Sequence, residues 1–287
     1  MCIAYIAIRT HPDWPLFIAA NRDEYHQRPS LPAAPWAEHP NVIAGIDCQA
    51  AGTWLGITRQ GRFALLTNYR GPGHTLTEAP SRGKLTSDYL TQNEPTQHYA
   101  QSIVVKATMY NGFNLIVGDM EEAYYVSNRD PSIAARLLAP GRHVLSNHLL
   151  DTPWPKAERL RQALDRLSLD QLEQSLTTVF DVLKDTTQAD DHALPDTGLP
   201  RERERLLSSP FIISPNYGTR CSTIIAVHAG GRALLSEISY DATGMATQRH
   251  DWPFKIEATT SLATTMGVCA KVRNPLHTGK HSLKSLE

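Results

Sequence analysis

Apolar residues in the N-terminal part of the chain fall in short runs, each broken by glycine, proline or charge. Cys2-Ile3-Ala4-Tyr5-Ile6-Ala7-Ile8 is apolar and partly β-branched, which predicts a buried strand. His11-Pro12-Asp13-Trp14-Pro15 reads as a turn into a second run, Leu16-Phe17-Ile18-Ala19-Ala20. If the two runs pair antiparallel, the end of the second returns to the start of the first, and Asn21-Arg22-Asp23-Glu24 lies close to Cys2. The prolines Pro29, Pro32, Pro35 and Pro40 argue against a regular element, so this segment is expected to pack across the sheet surface. Val42 to Ile46, Gly52 to Thr58 and Phe63 to Thr67 predict a strand meander, with Gln60-Gly61 as a tight turn.

Helical spacing takes over in the middle of the chain. Ser81-Arg82-Gly83-Lys84 opens a helix to about Leu90, and Pro95 starts another to about Ala107. Phe113 to Gly118 and Ala123 to Ser127 predict a hairpin, and His143 to Asn147 one further strand. Asp151-Thr152-Pro153-Trp154-Pro155 caps a helix through Leu167, and Leu172, Leu176, Val179, Phe180 and Leu183 form the apolar stripe of another. Residues 185–210 are polar and loop-like, and Arg201-Glu202-Arg203-Glu204-Arg205 reads as a solvated face. Cys221 to His228, Arg232 to Tyr240 and Met245 to about Trp252 predict three closing strands, the first two joined at Ala229-Gly230-Gly231. Strands at both ends with helices between argue for antiparallel sheets covered by helices, not a βαβ series. The expected domain is 1–260, with 261–287 a C-terminal tail of little periodicity.

Composition narrows the partners. The 287 residues are 41% hydrophobic, enough for a large core, and 28 basic against 29 acidic residues leave a net charge of −1. No global field draws such a chain to nucleic acid or to an anionic membrane. Cys2, Cys48, Cys221 and Cys269 are too few and too far apart for a disulfide framework or a CxxC metal site. The first apolar run is broken by Arg9 and Asp13, and no later run approaches a membrane span, so the expected location is cytoplasmic, with no integral membrane segment.

The chemistry concentrates at Cys2. Removal of Met1 would leave a thiol and an α-amine on one residue, a nucleophile with its own base. An α-amine has a pKa of about 7.7–8.0 and a thiol one of about 8.5, so both work near neutrality. The plainer reading makes Cys2 an accident of the start codon and the polar tetrad a solvated turn.

Met1-Cys2, Asn21-Arg22-Asp23-Glu24, Gly52-Thr53-Trp54-Leu55-Gly56, Thr67-Asn68-Tyr69-Arg70, Ser81-Arg82-Gly83, Tyr110-Asn111-Gly112, Leu145-Ser146-Asn147, Thr152-Pro153-Trp154-Pro155-Lys156 and Tyr217-Gly218-Thr219-Arg220 stand in the order of the NRDE family. The chain is identified as a member over residues 1 to roughly 250; the family includes the eukaryotic transport-and-Golgi-organisation proteins. It resembles the N-terminal-nucleophile hydrolases, which implies an α+β fold, a four-layer αββα sandwich with the nucleophile first on a central strand. In the related bile-salt and penicillin V amidases that nucleophile is the cysteine after the initiator methionine. The resemblance carries this role to Cys2, the strand-end asparagine to Asn147 and a C-terminal arginine to Arg220. Arg22, Asp23 and Glu24 fall where the amidases carry an arginine and an aspartate, one residue out of step, so either acid could face Cys2. On this reading Cys2 attacks an amide or thioester carbonyl and Asn68 or Asn147 donates to the oxyanion. Arg22 or Arg220 lowers the thiol pKa, and Asp23 or Glu24 orients the arginine or the amine.

A second class stays open. Members of the family have been linked to moving haem between compartments and to handling lipid or acyl-coenzyme A, which would make this a carrier that kept a hydrolase fold. Hydrolysis needs no cofactor; haem would be a transported ligand. Trp14, Trp36, Trp54, Tyr69 and Trp154 could line the apolar cleft a carrier needs. Cys48, Cys221 and Cys269 read as small core residues, and His277 and His281 as surface positions in the tail rather than a metal site.

Overall fold

The apolar runs pair into two antiparallel sheets. A computed structural model describes residues 2–72 and 75–257, which contain thirteen strands. In chain order the first are β1 (Cys2–Ile8), β2 (Leu16–Tyr25), β3 (Ser30–Pro35), β4 (Val42–Asp47), β5 (Leu55–Thr58) and β6 (Phe63–Asn68). Helices α1 (Gly83–Thr91) and α2 (Thr96–Lys106) lead to β7 (Phe113–Gly118), β8 (Ala123–Ser127), β9 (Arg136–Leu137) and β10 (Gly141–Leu145). Helices α3 (Pro155–Asp165), α4 (Leu172–Leu183) and α5 (Arg201–Leu206) precede β11 (Tyr217–Val227), β12 (Arg232–Tyr240) and β13 (Ala246–Lys255). The first sheet runs β10-β1-β2-β11-β12-β13, and the second runs from β3 to β9 in chain order. The tail expected from 261 onward lies outside the described residues.

Side-chain alternation explains the layering. Ala4, Ile6 and Ile8 of β1, with Leu16 and Ile18 of β2, face Ile43, Ile57, Leu65 and Ile116 of the second sheet. The intervening residues Ile3, Tyr5, Ala7, Phe17 and Ala19 face the other way, against Leu160, Leu164, Val179 and Phe180 of α3 and α4. Behind the second sheet, Leu85, Tyr89, Tyr99 and Ile103 of α1 and α2 close the stack. The result is a four-layer αββα sandwich. A strand covered on both faces has no solvent side, which is why all seven residues of β1 are buried and its sequence does not alternate. Each fully buried isoleucine there contributes roughly 1.5–3 kcal/mol.

Three segments depart from the sequence reading. β2 does not end at Ala20 but runs on through the polar tetrad, because β11 pairs with its far edge from Tyr217↔Tyr25 to Val227↔Leu16. The proline-rich stretch does form a strand: β3 is an edge, where a missing N–H interrupts little, and its pairing slips between Leu31 and Ala34. Its outer side is covered, since Ala33 N–H donates to Glu237 (2.7 Å) and Trp252 Nε1 donates to the Ala33 carbonyl (2.7 Å). The charge run forms α5, and its Glu204 is not solvated; it is buried against Arg70 at 3.1 Å and accepts from Thr197.

The loop between β10 and α3 is pinned by Asp151, whose φ of 62° lies in the left-handed region. Its carboxylate accepts from the Val144 N–H (2.9 Å) and Arg161 (2.9 Å) and meets His143 at 2.8 Å. Burial alone would push this carboxyl up, but the His143, Val144 and Arg161 contacts prevail and bring it from 3.8 down to about 2. Because folding lowers this pKa, the stability it contributes is complete above about 3.8 and is lost as the pH falls through about 2. Asp151→Asn, which keeps the left-handed conformation accessible, should cost about 1 kcal/mol near neutrality and little at about pH 2, once partial exposure is discounted. Urea denaturation at the two pH values checks this, and an equal cost at both would refute it.

Candidate active site

Cys2 pairs directly with Arg22 across β1 and β2, so the two side chains share the face of the first sheet that looks toward the second. Arg22 is held from several sides. Its guanidinium stacks 4.2 Å from the Trp54 ring centre, and its Nη2 lies 3.7 Å from Asp47. Asp47 in turn takes a 2.7 Å bond from Arg28, which lies 4.0 Å from Glu24. Gly45 makes room for this stack: a Cβ there would come within 2.3 Å of the Trp54 ring. Cys2, Arg22, Asp23, Glu24 and Asn68 line one cavity of about 260 Å³, together with Arg82, Asp47 and Trp54.

Two expected site residues are not in the lining of this cavity. Asn147 is fully buried behind the cavity; Ser146 beside it donates to the Cys2 carbonyl at 3.4 Å, and the β1–β10 register continued past Ala4↔Leu145 sets Asn147 opposite Cys2. Arg220 is not on the cavity wall. The bulge between Thr219 and Cys221 turns it to the loop after β2, where its Nη1 donates to the carbonyls of Tyr25 (3.0 Å) and Arg28 (3.0 Å). Arg220→Ala should therefore lower stability by about 1–2 kcal/mol in chemical denaturation. The rate at which iodoacetamide alkylates Cys2 should not change, and a slowed rate would return Arg220 to the site.

Burial dominates the electrostatics. It pushes the Cys2 thiol up, with the Asp23 carboxylate adding to the effect and Arg22 and the Asp23 N–H opposing it. Burial likewise raises Asp23, against the charge of Lys156 and a 2.7 Å bond from Thr219. Lys156 is 1% exposed; burial brings its ammonium down to about 8, and Asp23 is the main group resisting that fall. Its Nζ donates to Asn147 Oδ1 at 3.1 Å, and Asn147 Nδ2 donates to the Asn68 carbonyl at 3.1 Å. The Asn68 side-chain amide has no hydrogen-bond partner among the described residues and faces a cavity it helps to line.

Lys156, Asp47 and Arg82 are cavity or support residues that the chemical reading of the sequence passed over. Lys156 stands in the quoted Trp154-Pro155-Lys156 motif, but only the first turn of α3 lying on the first sheet buries it. Nothing in the pattern around Asp47 marks it. The five aromatic residues do not share a cleft. Trp54 lines the cavity, while Trp14 lines an apolar groove with Leu172 and Phe254. Tyr69 lines a shallow second cavity that meets the first at Asn68 and Arg82, Trp154 lies under Arg70, and Trp36 packs against the helix side of the second sheet. Cys221 is buried as expected, but Cys48 is exposed on the turn after β4; Cys269, His277, His281 and Met1 lie outside the described residues.

Cys2 stands at the start of β1, an interior strand of the first sheet, and faces the second sheet within an α+β sandwich that helices cover on both sides. Among the described residues no helix is long and apolar enough to cross a membrane. The chain belongs to the Transport and Golgi organisation 2 family, whose model matches residues 1–242. It is 34% identical over 281 residues to the Transport and Golgi organization protein 2 homolog of Bos taurus, covering 88% of this chain and 99% of that one. Against the Homo sapiens homolog it is 33% identical over 259 residues, covering 83% and 93%. Among solved structures it is similar to a penicillin V acylase from Agrobacterium tumefaciens, with a TM-score of 0.49 and 12% identity over 89% of this chain and 86% of that one. A Caenorhabditis elegans N-acylethanolamine-hydrolyzing acid amidase ortholog gives a TM-score of 0.47 and 12% identity over 78% and 92%.

Proposed function

We propose that the protein is an N-terminal cysteine hydrolase that cleaves an amide (C–N) or a thioester bond through Cys2. The observation that carries this reading is the placement of Cys2 at the end of a central strand, in the wall of a polar cavity and facing Arg22. Since burial holds the thiol protonated, attack needs a base, and with Met1 removed the residue's own amine is the nearest one. The amine takes the thiol proton as sulfur bonds to the carbonyl carbon, and the oxygen becomes an oxyanion. Collapse expels the amine or thiol leaving group with that proton, leaving a Cys2 thioester. Water, deprotonated by the same amine, then releases the acid. Asn68, open to the cavity, serves as one oxyanion donor and Asn147 as the other. Of the two acids, Asp23 is assigned to orient the amine, because it is buried and its N–H reaches the Cys2 sulfur, whereas Glu24 lies on the Arg28 side of the rim.

The carrier reading would use Arg22, Arg28 and Arg82 to hold an acidic ligand such as haem or an acyl-coenzyme A. It finds less support, since Asp23, Glu24 and Asp47 share the same wall and set negative charge against an acidic ligand. A Cys48→Ser/Cys269→Ser background, which removes the exposed thiol of the turn after β4 and the one outside the described residues, separates the readings. The mature protein should hydrolyse an acyl thioester or an N-acyl 4-nitroanilide, and alkylation of Cys2 should stop the reaction. Turnover that survives alkylation would refute the proposal.

A further inference from the structure

We propose that Lys156 is a positioning residue for the reaction at Cys2: its ammonium fixes which way the Asn147 amide points, so that an N–H and not a carbonyl oxygen is turned to the reacting carbonyl. This inference rests on the hydrolase reading above.

An ammonium can only donate and a backbone carbonyl can only accept. The Asn147 amide lies between one of each, with Lys156 Nζ 3.1 Å from Oδ1 and the Asn68 carbonyl 3.1 Å from Nδ2. A flipped amide would set NH₂ against the ammonium and oxygen against oxygen. The Arg70 N–H anchors the Asn147 backbone carbonyl at 2.6 Å. One hydrogen of Nδ2 goes to Asn68, which leaves the second for an oxyanion formed beside Cys2.

The burial of Lys156 is otherwise costly. A buried ammonium gives up its hydration, and among the described residues this one has a single hydrogen-bond partner, the neutral Asn147 amide. The charged and titratable groups around it come from four elements or loops: Asp23 on β2, Cys2 on β1, Arg70 after β6 and Glu204 on α5. Asp23 supplies the principal attraction, so the lysine keeps a positive charge where Asn147 needs a donor.

Lys156→Met keeps the volume of the side chain and removes its donor. With an acyl thioester as probe, kcat should fall about 10²-fold with KM nearly unchanged, the size expected for a misdirected oxyanion donor. Asn147→Ala should lose a similar factor, and the double variant should be no worse than either alone. Independent, multiplying losses would overturn the proposal, as would full activity in Lys156→Met. A second readout does not depend on turnover. The Asn147 side-chain ¹⁵N–¹H resonances, identified by their absence in Asn147→Asp, should move in Lys156→Met while distant backbone signals stay in place; resonances that do not move would also overturn it. If Lys156→Met fails to fold, Lys156→Leu, which also lacks a donor, carries both readouts. A wild-type protein with no Cys2-dependent turnover would sink the hydrolase reading by itself, and the resonances would still decide the role of Lys156.

Discussion

Cys2→Ala is expected to abolish hydrolysis, a loss on the order of 10⁴-fold or more, while the protein stays folded. The loss is large because every step of the proposed reaction passes through the sulfur, and among the described residues no other thiol lines the cavity. The structural cost is small. The β1 backbone keeps its pairing with β2 and β10, and removing one sulfur at a strand end costs only about 1–2 kcal/mol. Ligand binding measured by calorimetry should survive the change, because Arg22, Asp23 and Asn68 are untouched. A carrier would behave in the opposite way, with Cys2→Ala silent and Arg22→Ala losing its acidic ligand. Full hydrolytic activity in Cys2→Ala would refute the assignment.

Asn21→Ala should have the largest effect on stability, about 3–5 kcal/mol in chemical denaturation. Asn21 is 1% exposed, and its Nδ2 donates to the carbonyls of Leu183 (2.8 Å) and Pro210 (2.9 Å). Its Oδ1 accepts from Ser222 at 2.6 Å. Alanine leaves two carbonyls and a hydroxyl buried without that partner, each at about 1–3 kcal/mol, less what local water recovers. Asn21 thus ties α4 and the loop before β11 to the strand that carries Arg22 and Asp23. A cost under about 1 kcal/mol would mean that water reaches these carbonyls and that the residue is not structural.

The sequence revealed the parts of this fold that local pattern controls. β1, β7 with β8, and the stripe of α4 follow from apolar spacing alone, and the turn at Gly231 from its glycine pair. What it hid depends on partners distant along the chain. The tetrad after Ala20 looks like a turn until β11, some two hundred residues later, covers its edge. Glu204 looks solvated within its charge run because Arg70, its partner, is nowhere near it in sequence. The same holds at the site. Cys2 and Arg22 could be paired from the hairpin between them, whereas Asp47 and Lys156 enter only through sheet register and helix packing. Arg220 shows the converse, a motif position whose side chain a single bulge turns away from the cavity.

The most direct test of the central claim is the mass of the native protein and of its product with an acylating probe, read in a Cys48→Ser/Cys269→Ser background. An N-terminal nucleophile requires a mature chain that has lost Met1 and carries, after brief exposure to an activated acyl thioester, one acyl group that maps to Cys2. That is the predicted result. A purified, folded protein that retains Met1, or that takes up no acyl group at Cys2, would contradict it.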